Sequence, residues 1–293
     1  MSSPAQDQPL GADAAGPGLP DDANDRRGHH FKRLLRLPLT LLLLGSLALI
    51  ALVAGAIVVG PLVGLGAVVA VLLIGVLVVF AIADNKAAHD FFKIYAQQRG
   101  LVLAQGRGRL PQATPLLRKG DKRYSERTLT GPLAEGFDGT LALYTYEEET
   151  RDSDGDKQTN YYRYTVGLVE VSECAERVPE LYCQRKFGLR ALEKFEDAFR
   201  TKKERVTLES EALLDKYEIF AGKEQDAVWL RRLFAPSFIV WLTDTAPEKF
   251  AFELVDGTLC CYVNGHKENA AELDGIASAT GAVAKRLRDE ALE

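Results

Sequence analysis

The chain of 293 residues is 47% hydrophobic and carries a formal net charge of −5, but the charge is unevenly distributed. Residues 128–293 hold 21 Lys and Arg against 32 Asp and Glu, a net charge of −11. Because phosphate contacts need a positive surface, this balance argues against nucleic acid as a partner. The four cysteines, two of them adjacent, suit reduced thiols in the cytoplasm better than a disulfide framework.

The N-terminal residues predict a disordered, basic-ended tail over residues 1–30. Residues 1–25 are rich in Ala, Asp, Pro and Gly and contain no aromatic residue, so they cannot bury enough surface to fold. A cluster of cations follows directly before the first apolar segment. It consists of Arg26, Arg27, Lys32, Arg33 and Arg36. We expect these cations to stay cytoplasmic and to rest on anionic lipid headgroups.

The strongest signal is an uncharged run of 47 residues, 37–83, interrupted near its middle by Gly60-Pro61. One helix needs about 20 apolar residues to cross a bilayer, so the run predicts a transmembrane hairpin of helices at about 39–59 and 63–83. With basic residues on both flanks, the hairpin predicts a multi-pass protein of the plasma membrane with both termini in the cytoplasm.

Small residues at four-residue spacing predict where the two helices pack, because they let helix backbones approach closely. The residues assigned to the turn and the packing faces are Ala51, Gly55, Gly60, Pro61, Gly66 and Ala70. The same faces could instead form a homo-oligomer. A hairpin that enters only one leaflet is a further alternative, and it would also leave both termini on one side.

Residues 84–135 predict a juxtamembrane helix followed by a basic linker. Phe91, Phe92 and Tyr95 cluster on one side of a helix that continues to about residue 98, and Gly100 offers a C-cap. Residues 84–127 carry ten Lys and Arg against four Asp and Glu. This positive charge could contact anionic lipid, or the segment could simply be solvated.

Residues 136–293 predict one soluble α+β domain with a mainly antiparallel sheet. Strands are expected at 141–146, 161–171, 206–208 and 217–221, with a polar hairpin loop at 147–160. Residues 250–255 and 258–263 flank Asp256-Gly257, a strong hairpin signal. Helices are expected at 189–199, 227–233, 236–242 and 268–292 from their apolar periodicity.

Four stretches of this region resemble a family of uncharacterised, membrane-anchored bacterial proteins that is commonest among actinobacteria. The stretches are FKIYAQQRG at 92–100, the hairpin of 131–146 with 161–168, the segment 215–221 with Ala227 and FAPSF at 234–238, and the hairpin at 252–263. The resemblance implies two N-terminal transmembrane helices and a soluble α+β domain. It carries over no activity and no catalytic residue. The closing strand LCCY at 259–262 departs from the family pattern.

No residue pattern predicts a cofactor, a metal site or a catalytic group. The acidic segment 152–156 has its glycine in the wrong place for a calcium loop. Cys260 and Cys261 are adjacent on a predicted strand, so their side chains should point to opposite faces and cannot share a metal. Ser237 lacks the glycines of a nucleophile elbow.

The sequence therefore favours a non-enzymatic interaction or regulatory module that is anchored in the lipid bilayer and binds an unidentified protein partner. A thiol-based redox sensor or membrane-bound enzyme using Cys260 or Cys261 is the first alternative. An extracytoplasmic envelope protein, with the topology inverted, is the second.

Overall fold

A computed structural model describes residues 46–47, 50, 53, 61–134, 136–151, 155–186, 203–223 and 225–293. The chain forms two compact units, Met1–Ala87 and Ala88–Glu293. The predicted tail, its basic cluster and the first predicted membrane helix, with Ala51, Gly55 and Gly60, lie outside the described residues.

Helix α1 (Pro61–Gln98) is one continuous helix of 38 residues. The helix predicted at 63–83 and its continuation to residue 98 are thus confirmed as one continuous helix, and its place in a membrane stays a prediction. It is the one helix of the described residues that is long and apolar enough to cross a membrane, judged by length and composition. The two-helix hairpin stays a prediction, because only its second helix is described. Gly66 and Ala70, assigned to hairpin packing, are exposed on α1.

The second unit is built on a nine-stranded sheet with the order β1-β2-β3-β4-β9-β8-β5-β7-β6. Every pairing between neighbouring strands is antiparallel. This confirms the predicted α+β class with an antiparallel sheet. The strands are β1 (Val102–Leu103), β2 (Lys122–Ala134), β3 (Phe137–Arg151), β4 (Lys157–Glu170), β5 (Glu180–Arg185), β6 (Lys203–Arg205), β7 (Tyr217–Gly222), β8 (Ala251–Val255) and β9 (Thr258–Asn264).

In the described part of the chain, five helices follow α1, and the C-terminal one is the longest of them. The helices after α1 are α2 (Pro115–Arg118), α3 (Glu211–Lys216), α4 (Ala227–Leu233), α5 (Pro236–Val240) and α6 (Ala270–Leu292). A 3-10 turn (Ser172–Cys174) follows β4, and a π-helical turn (Trp241–Thr245) follows α5. Asn269 caps α6 by accepting hydrogen bonds from two backbone amides, and α6 packs on β2, β3, β4 and β9.

A glycine on β4 brings α6 very close to the sheet. A Cβ added to Gly167 would overlap Thr280 Oγ1 on α6. The Thr280 hydroxyl is turned back to donate to the carbonyl of Ile276 at 2.8 Å. The small and apolar residues of α6 therefore serve close packing on the sheet, as their sequence predicted.

The hairpin of β8 and β9 has the predicted two-residue turn. Asp256 and Gly257 have φ values of 46° and 82°, the positive values that such a turn requires. Cys260 and Cys261 point to opposite faces of the sheet, as predicted: Cys261 lies against Thr280 of α6, and Cys260 belongs to the core on the other face.

The predicted linker at residues 101–135 is wrong in its last part, whereas residues 104–121 are largely irregular. Residues 122–134 form β2, which pairs with β3 along eleven positions. The segment lacks a clean alternation of apolar residues because much of β2 is only partly buried. The second compact unit therefore starts at Ala88, well before residue 136, where the sequence predicted the α+β domain to begin.

Other predictions differ in detail. The predicted loop 147–160 is shorter, because β3 and β4 continue to Arg151 and from Lys157 as a polar ribbon. β5 was not predicted, and β6 ends at Arg205, before the predicted strand at 206–208. The predicted helix at 189–199 lies outside the described residues.

We expect Gly167→Ala to lower the free energy of unfolding by about 1–3 kcal/mol, because overpacking forces α6 away from β4. Chemical denaturation of the full chain in detergent, followed by circular dichroism, measures this. Gly222→Ala on β7 is the matched control, since its added Cβ meets no atom within 4 Å. Equal effects of the two changes would contradict the close approach of Gly167 and Thr280.

Candidate functional site

The face of the sheet opposite α6 is covered by an irregular segment, residues 104–121, which we call the strap. Its only helix is the four-residue α2. Leu116 and Leu117 of α2 share a buried cluster with Val166 and Leu168 of β4, whereas Gly167 between them faces α6. Since successive strand residues point to opposite faces, the strap and α6 lie on opposite sides of the sheet.

Under the strap the sheet is lined by tyrosines from three neighbouring strands. Tyr146 of β3 stacks on Tyr162 at 4.8 Å and on Tyr164 at 5.9 Å between ring centroids. Tyr164 meets Tyr262 of β9 edge to face at 5.9 Å. Tyr144 donates a hydrogen bond to the carbonyl of Leu116 at 3.4 Å. These rings form an aromatic floor that contacts the strap.

A carboxyl group lies on the strand next to this aromatic floor, paired in register with Cys260. Glu253 of β8 is 0% exposed, and its Oε2 accepts a hydrogen bond from the backbone amide of Leu116 at 2.9 Å. Among the described residues, its Oε1 has no hydrogen-bond partner. Burial raises the pKa of Glu253, and the Leu116 amide, the Thr114 side chain, Lys119 and Lys203 oppose that rise.

Two lysines face Glu253. Lys119, on the strap, is only 3% exposed, and burial lowers its pKa to about 8 against the opposing charges of Glu253 and Glu148. Lys203 of β6 pairs with Glu180 at 3.2 Å and lies 3.6 Å from the Tyr182 ring centroid. Burial lowers its pKa to about 8 as well. Such perturbed groups mark functional sites more often than ordinary surface charges do.

Two hydroxyl groups beside Glu253 are buried without a partner. Thr114 and Tyr262 are 0% and 1% exposed, and neither hydroxyl has hydrogen-bond geometry with another described residue. The Thr114 side chain is nevertheless close enough to lower the pKa of both Glu253 and Cys260. We take it to be adjacent to the carboxyl but not bonded to it, because hydrogen bonding requires directed geometry.

The strap is fixed at its C-terminal end by a tight contact with β3. Gly120 has a φ of 78°, and a Cβ there would lie 2.7 Å from the carbonyl oxygen of Glu147 and 2.8 Å from the Tyr146 ring. The next amide, of Asp121, donates to the same carbonyl at 2.8 Å. Only glycine fits this position, which sets Lys119 over the sheet.

A second polar cluster fixes the end of α1 to α6. Tyr95 donates to Asp274 Oδ1 at 2.9 Å, and the Arg99 guanidinium binds both Asp274 oxygens while it stacks on the Tyr95 ring at 4.0 Å. We call these three residues the clamp. A bidentate pair of this kind holds its two elements in one orientation.

Next to the clamp on α6, a groove of about 670 Å³ opens between this helix and the π-helical turn. Its wall on α6 is a face of small residues at helical spacing, and its opposite wall holds Trp241 and Pro247. Val263 and Ile276 form its buried floor. The small residues are Ala271, Gly275, Ser278 and Ala282. A groove of this size and apolar character suits a ligand or a helix of a partner.

The four cysteines are buried and free. Burial raises the pKa of Cys174 to about 12 and raises the pKa of Cys183, Cys260 and Cys261 as well. Because thiolates are the reactive form, this environment disfavours thiol chemistry in the folded state. The described part of the chain contains no group of three or more His, Cys, Asp or Glu side chains that could hold a metal ion.

Sequence reasoning assigned its site residues to the membrane and missed the cluster under the strap. The structure describes Pro61, where α1 begins, and the exposed Gly66 and Ala70, and it brings none of them to this cluster. One signal was available: Glu253 is the only charged residue in the apolar run 250–255. A charge inside a strand that is apolar on both sides requires a buried partner.

Comparison with protein-family models, curated proteins and solved structures found no match to this chain. The geometry of the described residues therefore carries the functional argument.

We expect the free energy of unfolding of Glu253→Gln to increase relative to that of the wild type as the pH rises from 4.5 to 7. The folded pKa of Glu253 is raised above 4.5, so its contribution to stability is fully present below pH 4.5 and is lost as the pH rises through the folded pKa. Lys119, with a pKa of about 8, remains mostly charged over this range. Unfolding in urea at each pH measures the difference.

Glu248→Gln, at a side chain that is 88% exposed, is the matched control and should show no such trend. Glu253→Leu should lower the free energy of unfolding by about 1–3 kcal/mol at pH 4.5, because the Leu116 amide loses its acceptor, and this cost should fall as the pH rises. A difference between Glu253→Gln and wild type that does not change with pH would contradict the raised pKa.

Proposed function

We propose that this chain is an integral membrane protein whose α+β domain is a binding module for a protein partner. The observation that carries the anchor is the surface of α1. Leu73, Ile74 and Leu77 expose 61%, 61% and 66% of their surfaces, and Phe80 exposes 51%. Contiguous apolar surface of this extent is costly in water and favourable in hydrocarbon. The clamp then fixes the end of the same helix within the folded domain.

The sequence supports a two-helix hairpin at 39–59 and 63–83 with both termini in the cytoplasm. The basic residues Arg26, Arg27, Lys32, Arg33 and Arg36 precede the hairpin, and residues 84–127 carry a net charge of +6 after it. Lys and Arg next to membrane segments are retained on the cytoplasmic side and attract anionic headgroups. Residues 88–293, the second compact unit, carry a net charge of −5, so the positive charge next to the helix is confined to the first part of that unit.

The groove beside α6 supports binding of an α-helix from the partner. Ala271, Ser278 and Ala282 are exposed and have small side chains, so a second helix backbone can approach closely. Trp241 offers an aromatic anchor at the opposite wall. A thiol sensor is less well supported, because all four thiols are buried and have raised pKa values.

Cysteine labelling of the full chain in cells tests the anchor and its orientation. Because the native thiols are buried, a reporter is introduced by Ser172→Cys at an exposed position of the domain, in a background with the four native cysteines replaced by serine. We expect a membrane-impermeant maleimide to label it only after permeabilisation. The control Gly60→Cys, in the predicted external turn, should be labelled in intact cells.

Labelling of Ser172→Cys in intact cells would place the domain outside the cytoplasm and overturn the proposed orientation. Release of the unmodified chain from membranes by alkaline carbonate would contradict integral anchoring itself.

Site-specific photo-crosslinking tests the groove. A photoreactive residue in place of Ala271 in the full chain should give one discrete crosslinked product, whose partner peptide should be an amphipathic helix by sequence. Gly275→Leu together with Ser278→Leu should fill the groove and reduce that product at least about tenfold. Lys285→Leu, an exposed change outside the groove on the same helix, should leave it unchanged. A product formed between two copies of this chain would contradict a separate partner.

A further inference from the structure

The two walls of the groove beside α6 differ in the size of their side chains. The wall on α6 consists of Ala, Gly and Ser residues, which contribute little volume. The opposite wall is formed by residues 241–249, which we call the outer wall. Its Trp241 ring stacks on Phe238 at 5.6 Å between centroids and meets Phe250 edge to face at 5.9 Å, so its position is fixed. Because protein interfaces are densely packed, the occupant of the groove must supply large apolar side chains.

The length of the groove suits a short helix. Its lining residues on α6 run from Ala271 to Ala282, which is about 17 Å at a rise of 1.5 Å per residue. This length corresponds to about three helical turns. A partner helix of three turns can place apolar side chains at positions i, i+3 or i+4, and i+7, the spacing by which amphipathic helices bind in grooves.

The outer wall is held in shape by two uncommon backbone features. The amide of Ala246 donates to the carbonyl of Trp241 at 2.8 Å, which closes the π-helical turn. Lys249 has a φ of 59°, a left-handed conformation that residues other than glycine rarely adopt. Both features occur often at functional sites, where the surrounding structure offsets their cost. They fix the segment that presents Trp241 and Glu248 to the groove.

Two exposed carboxylates of the outer wall have only distant lysines beside them. The Glu248 side chain is 88% exposed, and its Oε1 lies 3.6 Å from Lys249 Nζ. The Asp244 side chain is 66% exposed, and its Oδ1 lies 3.9 Å from Lys216 Nζ. Both distances exceed that of a hydrogen bond, and Lys216 donates instead to the Thr243 carbonyl at 2.6 Å. The outer wall therefore offers negative charge to a cation.

On the premise that the groove is the partner's binding site, as proposed above, we propose that the bound segment is a cationic amphipathic helix of about three turns. Its large apolar side chains enter the groove against Trp241. A Lys or Arg on the adjoining face of this helix pairs with Glu248 and Asp244, which selects the partner by charge.

Two other occupants match these observations less well. The α6 face of a second copy of this chain carries the same small residues, so it would leave the volume of the groove unfilled. An anionic lipid headgroup would meet the carboxylates of Glu248 and Asp244 and be repelled by them.

The test uses the full chain in cells with a photoreactive residue in place of Ala271. The partner segment in the crosslinked product should be net positive, with large apolar residues at i, i+3 or i+4, and i+7. Adding Glu248→Lys should lower the yield of this product about three- to tenfold, because a charge at the rim governs association. Glu176→Lys, at an exposed position that does not line the groove, is the matched control and should leave the yield unchanged.

A charge exchange with the partner tests the pairing directly. Replacing the partner's Lys or Arg with Glu should lower the yield with the wild-type chain and restore it with Glu248→Lys, because two residues in contact are energetically coupled. In isolated membranes, raising the NaCl concentration from about 50 mM to about 500 mM should lower the wild-type yield and should not lower that of Glu248→Lys.

The outcomes separate this inference from the proposed function. A discrete product from a neutral or acidic segment, or a yield that Glu248→Lys does not change, would overturn the cationic helix and leave the groove as the partner's site. The absence of a discrete product, or a product of two copies of this chain, would overturn the proposed function and this inference with it.

Discussion

Both faces of the sheet must be covered by other elements of the chain. The structure of the rest of the second compact unit depends on which elements cover each face. The sheet's inner strands β8 and β9 are apolar and buried along nearly their whole length, so neither face tolerates water. Helix α6 covers one face through the close approach at Gly167. The strap covers the other with only one turn of helix, and it supplies the polar groups that surround Glu253.

The two coverings differ in their physical character. On the α6 side, small residues allow dense packing, and dispersion and apolar burial hold the helix in place. On the strap side, a buried carboxyl group meets two lysines with lowered pKa values and hydroxyl groups without partners. Replacing such a buried ionic cluster with apolar residues is often neutral or stabilising, so stability alone does not account for it.

Helix α6 connects the features that support the proposed function. Asp274 joins α6 to the end of α1 through Tyr95 and Arg99, and Ser278, one turn further along the same side of α6, lines the groove. The contact with α1 and the proposed binding surface therefore adjoin each other on one helix.

The sequence by itself determined the class of the domain, most of its C-terminal elements and the apolar character of α1. Periodicity and the turn Asp256-Gly257 are local signals, so α4, α6 and the last hairpin were predictable to within a few residues. β2 was missed because its burial is partial and its pairing with β3 is a property of the sheet, not of the segment. The same holds for the candidate site: Thr114, Lys119, Glu253 and Tyr262 are separated by up to 148 residues in the sequence. Only the tertiary structure brings them together, because the energy of a buried charge depends on which groups surround it in space.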